Sequence, residues 1–218
     1  MRSRAVLPLT LLTALALGTS AGVGAEDPVP AARAMLAAWH EEPARIDRAR
    51  AMLETAAASD AAPRDDRAHL WLAINLGRAA EIKGVMRALA LVNTIRAESD
   101  TVLKLNPANV EGLILAGGLA AELPGFMGGD RVKAEALFTR ALEVDPHQTG
   151  GRLELARLYL GARRWRDAER ELSRVVDEPA ATDLPRWTVS ERPRARALLS
   201  ELSDRGTVTA TPTPTQAP

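Results

Sequence analysis

The sequence predicts an all-α protein of stacked helical hairpins, an α-solenoid closed by a C-terminal capping helix. Three observations carry this prediction. Apolar residues recur at spacings of three and four along almost the whole chain, interrupted by Pro, Gly and Asp. Aromatic residues make up only 3% of the chain and alanine is abundant, which suits closely packed helices better than β-strands. The helical stretches also follow one another in pairs, joined by short connections.

The N-terminus has the three parts of a secretory signal. Arg2 and Arg4 precede an apolar run of about 13 residues, which is followed by small residues that end at Ala25. The apolar run is shorter than the roughly 20 residues that a membrane-spanning helix needs. We therefore expect a cleaved signal at 1–25, with cleavage after Ala25 or, as the second choice, after Ala21. The chain has no cysteine, so lipid attachment at a lipobox is excluded and the predicted location is periplasmic or secreted.

Residues 26–204 are predicted to form one helical domain, and 205–218 a disordered tail. The tail alternates Thr and Pro and has almost nothing apolar to bury. The whole chain has a net charge of zero, and loss of Arg2 and Arg4 with the signal leaves a slight acidic excess. That balance argues against binding to nucleic acid or to an anionic membrane surface, because both need a basic face. No membrane segment is expected after signal cleavage.

The helices of the domain are placed by periodicity and by the residues that break it. They are predicted near 30–40, 44–59, 65–82, 85–105, 108–122, 130–144, 148–161, 165–177 and 191–203.

An internal repeat runs through these helices. Ala134, Phe138 and Ala141 form a small–large–small pattern at gaps of four and three, and Ala168, Leu172 and Val175 repeat it 34 residues later. A third copy is present earlier in the chain, at Ala49, Leu53 and Ala56. The partner helices agree, because Leu155, Ala156 and Tyr159 precede Ala168 much as Leu36 and Ala37 precede Ala49.

This pattern resembles the tetratricopeptide repeat, in which the period is 34 residues and the signature lies on the second helix. The residue types have a physical reason. Ala134 and Ala168 allow paired helices to approach closely, and the larger residue fills the groove against the next hairpin. Tyr159, the only tyrosine, is expected to project toward that seam. The proline after the second helix has no N–H and ends the helix.

The stretch ELPGFMGGD, 122–130, is predicted to be a lengthened turn within one hairpin. Pro124 stops the preceding helix, Gly125 after it can adopt a positive φ, and Gly128 and Gly129 allow a sharp turn. Asp130 is a good N-cap for the next helix. Phe126 and Met127 are expected to form an apolar plug, either filling the end of the hairpin seam or closing a cavity or contacting a partner.

A narrower resemblance covers roughly 65–202. ELPGFMGGDRVKAEALFTRALEVDP resembles bacterial exported proteins related to the T component of TRAP transporters, and also the regulator-of-microtubule-dynamics domain. Downstream, DLPRWTVSERPRARALLSEL resembles the turn and final helix that close such domains. It is interpreted as a turn held by Trp187 and a capping helix opened by Ser190 or Glu191.

The sequence offers no pattern for catalysis, a cofactor or a metal. His40, His69 and His147 are scattered, and WHEEP has Ala44 where a metalloprotease motif needs a second histidine. No glycine-rich run precedes Lys-Ser or Lys-Thr, and FMGGD lacks the preceding strand of a dinucleotide fingerprint. A hydrolase of unrecognised type is a weaker alternative.

Binding to a protein or peptide partner is the function that the sequence favours. Stacked hairpins curve, and their first helices line an extended concave surface. The alternatives left open are a small-molecule carrier associated with solute transport, with Phe126 and Met127 closing its cavity, and a homo-oligomer. By helical spacing the candidate partner-binding residues are Trp71, Arg78, Glu111, Glu122 and Arg157, together with Phe126 and Met127 in the turn.

Overall fold

The structure, a computed structural model, describes residues 29–31, 44–58, 65–83 and 85–209. Within these ranges it contains helices and no strand. The helices are α1 (Ala44–Ala57), α2 (Asp66–Lys83), α3 (Val85–Leu105), α4 (Val110–Glu122), α5 (Arg131–Val144), α6 (Thr149–Gly161), α7 (Trp165–Val176) and α8 (Arg192–Thr209).

The helices pack as consecutive antiparallel hairpins, which confirms the predicted all-α solenoid. The closest pairs are α2 with α3, α4 with α5, and α6 with α7, and α8 closes the stack by packing on α7. Neighbouring hairpins contact each other through α3 with α4 and α5 with α6, and α1 packs on α2. The connections are short, so the turns within hairpins lie along one edge of the solenoid and the turns between hairpins lie along the opposite edge.

The small–large–small pattern forms the core, as predicted. In the last two hairpins all six residues of the pattern are at most 1% exposed, and Ala49 and Leu53 of the earlier copy are fully buried. Tyr159 is 6% exposed and packs with Phe138 and Ala168, so it fills the seam between the second and third hairpins. The core therefore runs along the solenoid as three successive clusters of buried residues.

Two turns between hairpins have the same construction. Asn106 Oδ1 accepts from the N–H of Ala108 at 3.2 Å, and Asp145 Oδ1 accepts from the N–H of His147 at 2.9 Å. Each turn ends in an N-cap, Asn109 for α4 and Gln148 for α6, whose side-chain oxygen accepts from a backbone N–H of the new helix. Corresponding residues of the two turns are 39 positions apart, which sets the register between the second and third hairpins.

The C-terminal cap differs from its prediction in two respects. The N-cap is Asp183, not Ser190 or Glu191. It caps the short helix Leu184–Arg186, with Oδ1 accepting from the N–H of Arg186 at 3.0 Å. A π-helical turn, Trp187–Glu191, then leads directly into α8. Glu191 is 4% exposed because its carboxylate accepts from Thr149 Oγ1 at 2.5 Å and pairs with Arg186 at 2.9 Å.

Trp187 holds the cap as the sequence predicts, by donating from Nε1 to the carbonyl of Val175 at 2.6 Å. The backbone of α8 is helical through Thr209, five residues past the domain boundary at 204 that the sequence predicts. The predicted signal, most of the predicted helix at 30–40 with Leu36 and Ala37, His40, and residues 210–218 lie outside the described residues.

Candidate functional site

The first helices of the second and third hairpins meet directly. A Cβ atom placed on Gly151 of α6 would lie 3.1 Å from Ile114 Cδ1 of α4, so the isoleucine side chain rests against the glycine backbone. Gly151 is buried by this contact. The surfaces of α4 and α6 that point away from α5 and α7 therefore form one continuous face.

The 39-residue register shows how this face is built. Gly117 of α4 and Ala156 of α6 are the equivalent small, buried residues that face the second helix of each hairpin. Four further pairs of positions, each 39 residues apart, lie on the outer face of the two helices. In three of these pairs, one helix has a charged residue and the other has a glycine. The equivalent pairs are Glu111 with Gly150, Leu115 with Glu154, Gly118 with Arg157, and Glu122 with Gly161. We call these eight residues the recessed face.

Open space next to two of the glycines makes the face uneven. A Cβ atom on Gly118 or Gly161 would meet no atom within 4 Å. Arg157 and Glu122, at the equivalent positions of the other helix, are both exposed. Each charged side chain therefore has, at the equivalent position of the other helix, a glycine with open space beside it, where a partner chain could approach the backbone closely.

The recessed face carries three carboxylates and one guanidinium. Arg157 pairs with Glu154 at 3.2 Å, and both side chains remain partly exposed, at 44% and 33%. Within the described part of the chain, Glu111 and Glu122 make no ion pair. The face therefore carries an excess of carboxylates, and two of them form no ion pair with a described residue.

The structure brings some of the predicted partner-binding residues together and separates others. Glu111, Glu122 and Arg157 are exposed and share the recessed face, and Arg78 is exposed on α2. Trp71 is half-buried and packs against the first core cluster, as Leu115 and Leu119 also do, so part of its role is structural. Leu115, Gly118 and Glu154 were not identified from the sequence. They can be identified by aligning NPANVEG with DPHQTGG, which start 39 residues apart, and comparing equivalent positions of the two helices.

The turn at 122–130 is closely hydrogen-bonded. Met127 N–H and Gly129 N–H both donate to the carbonyl of Pro124, and Asp130 N–H donates to the carbonyl of Ala120 at 2.8 Å. Asp130 caps α5 as predicted, accepting from the N–H groups of Val132 and Lys133. Arg96 of α3 donates to the carbonyl of Met127 and so ties this turn to the preceding hairpin.

Two details of the predicted turn are wrong. The positive φ of 87° is at Gly128, while Gly125 begins a short 3₁₀ helix, Gly125–Met127. Phe126 does not fill the seam, because its side chain is 90% exposed. Met127 is half-buried. Gly129 is required for steric reasons, since a Cβ atom there would lie 1.7 Å from the carbonyl oxygen of Leu123.

A polar cluster joins the second and third hairpins near their turns. Tyr159 OH donates to Glu135 Oε1 at 3.0 Å, Arg164 Nη1 donates to Glu135 Oε2 at 2.8 Å, and the Arg164 guanidinium lies 4.1 Å from the centre of the Tyr159 ring. Burial, followed by the hydrogen bond to the Glu135 carboxylate, raises the pKa of Tyr159 to about 12. Tyr159 therefore stays neutral over the physiological range and acts as a structural donor.

The described histidines each contact one carboxylate. His69 Nδ1 lies 2.6 Å from Glu98 Oε2, and His147 Nδ1 lies 2.8 Å from Glu178 Oε1. No group of three or more His, Asp or Glu in the described residues is arranged to hold a metal ion. None of the described helices is both long enough and apolar enough to cross a membrane.

Comparison with known proteins agrees with this architecture. Residues 126–188 match the tetratricopeptide repeat family. The solved structure of TTC0263, a thermophilic TPR protein of Thermus thermophilus, is similar with a TM-score of 0.59 and 22% identity, covering 82% of each chain. The structure of the MamA RS-1 ArsTM double mutant is similar with a TM-score of 0.50 and 13% identity, covering 86% of this chain and 99% of that one. No curated protein sequence matches this chain.

The fold is that of a tetratricopeptide repeat protein, and such repeats serve as protein-interaction scaffolds. At these identities the likeness to the two solved structures establishes the fold alone.

Proposed function

We propose that this protein is an exported, non-catalytic adaptor that binds a protein partner of the cell envelope on the recessed face. The observation that carries the proposal is the alternation of exposed charged residues with accessible glycines along α4 and α6. A partner segment laid across the two helices would reach the backbone at Gly118 and Gly161 and the carboxylates of Glu111 and Glu122. Because the face is acidic, we expect that segment to carry Lys or Arg.

The test is affinity capture from cells after crosslinking, with the protein tagged at its C-terminus. Gly118→Gln should fill the recess without disturbing the fold, because the Cβ position is open. Ala136→Gln is the matched control, since Ala136 is exposed on α5 of the same hairpin but lies off the recessed face. We expect a stoichiometric envelope protein with the parent chain and with Ala136→Gln, and its loss with Gly118→Gln.

A charge reversal tests the expected chemistry of the partner. Glu122 is exposed and makes no ion pair within the described residues, so Glu122→Lys should leave folding unchanged. The variant should capture less partner and show a weaker salt dependence of binding. Equal capture by the parent chain, Gly118→Gln and Glu122→Lys would contradict the assignment of this face.

Export is tested separately, by fractionating cells and measuring the intact mass of the purified protein. We expect a mature chain that begins at Glu26, or at Gly22 if the second cleavage site is used, in the periplasmic or secreted fraction. A chain that retains residues 1–25 in the cytoplasmic fraction would contradict export and leave the binding proposal to be judged on capture alone.

The alternative of a small-molecule carrier has less support. It depended on Phe126 and Met127 closing an internal cavity, and Phe126 is 90% exposed. Retention of a small molecule by the freshly purified protein in native mass spectrometry would favour the carrier over the adaptor. A role beside a TRAP-type transporter would appear in the capture experiment as a solute-binding protein or transporter subunit.

A further inference from the structure

Two apolar features lie along the edge of the solenoid that holds the turns within hairpins. The first, which we call the knob, consists of Phe126 and Val132, which are 90% and 80% exposed. The second, which we call the cleft, has a volume of about 120 Å³ and is lined by Leu160, Trp165, Leu198, Glu201 and Leu202. Neither feature is part of the recessed face.

The knob is held rigidly although its side chains are exposed. Phe126 lies inside the 3₁₀ helix Gly125–Met127, in which the N–H of Met127 donates to the carbonyl of Pro124 and the N–H of Gly128 donates to the carbonyl of Gly125. Val132 follows the N-cap Asp130, which fixes the first turn of α5. An exposed phenylalanine on a preformed backbone loses little conformational entropy when it is buried by a partner, which is the property of an interface anchor.

The cleft is an apolar recess between the third hairpin and the capping helix. Leu160 and Trp165 flank the turn between α6 and α7, while Leu198 and Leu202 come from α8. Trp165 lines the cleft and is 40% exposed. Aromatic and leucine side chains around a recess of this kind form a natural pocket for an aromatic anchor.

The knob and the cleft belong to neighbouring hairpins on the same edge. The turn that carries Trp165 is tied to the first turns of α5 by Arg164, whose Nη1 donates to Glu135 at 2.8 Å. Val132 lies one helical turn before Glu135 on that helix. The two features therefore lie on neighbouring turns along the same edge of the solenoid.

We propose that the protein forms a two-fold symmetric homodimer in which Phe126 of each copy inserts into the cleft of the other. In this dimer the two copies face each other along this edge. The two-fold axis lies in the plane between them and passes midway between knob and cleft. Rotation about it places the knob of each copy opposite the cleft of the other. Such an isologous interface uses one surface patch twice and closes at two subunits.

Charges beside the two features favour a second copy as the occupant. Arg131 and Lys133 flank Val132, are exposed, and make no ion pair within the described residues. Glu201 lines the cleft, is exposed, and likewise has no ion pair in the described part of the chain. Insertion of the knob would bring the cations of one copy toward the carboxylate of the other, in two equivalent places per dimer.

Sedimentation equilibrium of the purified protein over a concentration series tests the proposal. We expect a reversible dimer, and at least about tenfold weaker dimerisation for Phe126→Glu and for Trp165→Glu, since a buried aromatic anchor contributes that much or more. Val189→Glu is the matched control, because Val189 is also 80% exposed but lies beside the turn between the third hairpin and α8. It should dimerise like the parent chain, and circular dichroism should show equal helicity for all variants.

Mixing the two weakened variants distinguishes this interface from other modes of assembly. Phe126→Glu retains an intact cleft and Trp165→Glu an intact knob, so their mixture should form a heterodimer with one intact contact. Lys133→Glu and Glu201→Lys should each weaken the dimer, and the double variant should recover it.

A parent chain that stays monomeric at every concentration would overturn the proposal. So would a Phe126→Glu variant that dimerises normally. A crosslink from the cleft to residues 210–218 of the same chain would also overturn it, and would assign the cleft to the C-terminal segment. These outcomes are independent of partner capture, so the dimer and the adaptor function can fail separately.

Discussion

The ring of Phe138 lies directly against the backbone of Gly117 across the second hairpin. A Cβ atom on Gly117 would be 2.6 Å from Phe138 Cε1, and Phe138 is 1% exposed, so the ring cannot move aside into solvent. A Cβ atom on Gly118, the next residue, would meet no atom within 4 Å. Two adjacent glycines in one helix thus have opposite constraints.

This contrast predicts opposite effects of one substitution at the two positions. Gly117→Ala should lower the free energy of unfolding by about 1–3 kcal/mol, because the added methyl group overpacks the seam against Phe138. Gly118→Ala should raise it by about 0.5–1 kcal/mol, because alanine restricts the unfolded chain and meets nothing in the folded one. Urea unfolding followed by circular dichroism measures both. Equal effects at 117 and 118 would contradict the described packing.

The second prediction concerns the ion pair between Arg152 and Glu171, 3.0 Å apart. The side chains are only 10% and 6% exposed. Glu171→Gln keeps the shape but removes the negative charge that pairs with the buried Arg152 guanidinium, which also donates to the carbonyl of Pro146 at 2.7 Å. We expect a loss of about 3 kcal/mol of stability. Glu154→Gln, which disrupts the exposed pair with Arg157, should change stability by no more than about 1 kcal/mol. Thermal unfolding of both variants separates the two cases, and similar losses would contradict the difference in burial.

The third prediction uses Tyr159 as a spectroscopic probe, because it is the only tyrosine of the chain. Burial and the hydrogen bond to Glu135 raise its pKa from 10.0 to about 12. Ultraviolet absorbance should therefore show phenolate forming near pH 12 in the folded protein and near pH 10 in denaturant. Since the folded pKa is the higher, this contribution to stability is complete below pH 10 and is lost as the pH rises toward 12. Glu135→Gln should lower the folded pKa. A transition near 10 in the folded protein would contradict the contact.

The fourth prediction concerns acid stability near the turn at 145–148. Burial raises the pKa of Glu178, but the hydrogen bonds from His147 and from the N–H of Ala180 outweigh it, so the pKa lies below its usual value of 4.5. Because the folded pKa is depressed, the stabilisation is present above about pH 4.5 and is lost as the pH falls through the folded pKa. Glu178→Gln should therefore destabilise the protein at pH 7 and have little effect near pH 2. Chemical unfolding at the two pH values measures this, and an effect independent of pH would contradict it.

The core and the helices could be predicted from sequence because their signal is local and periodic. The spacing of Ala134, Phe138 and Ala141 predicts one buried helix face. The same pattern beginning at Ala168 gives the repeat length. Asp130 could be recognised as a cap for the same reason, since an N-cap acts on residues two and three positions ahead.

What the sequence did not reveal depends on contacts between distant residues. Glu191 looks like a surface residue at a helix start, yet Thr149 and Arg186 bury it. The sequence left open whether Phe126 fills the hairpin seam or faces outward, because a turn has no periodicity that would indicate which way its side chain points. The recessed face depends on the register between two hairpins, which the 34-residue spacing of the second helices does not give, because the lengthened turn adds residues between α4 and α5.

The most direct test of the central claim, that the recessed face binds a partner protein, is site-specific photo-crosslinking in cells. A photoreactive side chain would replace Gly118 on the recessed face or Ala136 on the outer helix of the same hairpin. Because a large side chain at 118 could itself weaken binding, Glu122 provides a second position on the face. We predict that positions 118 and 122 crosslink to the same envelope protein and that position 136 does not. Crosslinks to that protein from 136 alone, or to no protein from 118 and 122, would contradict the account.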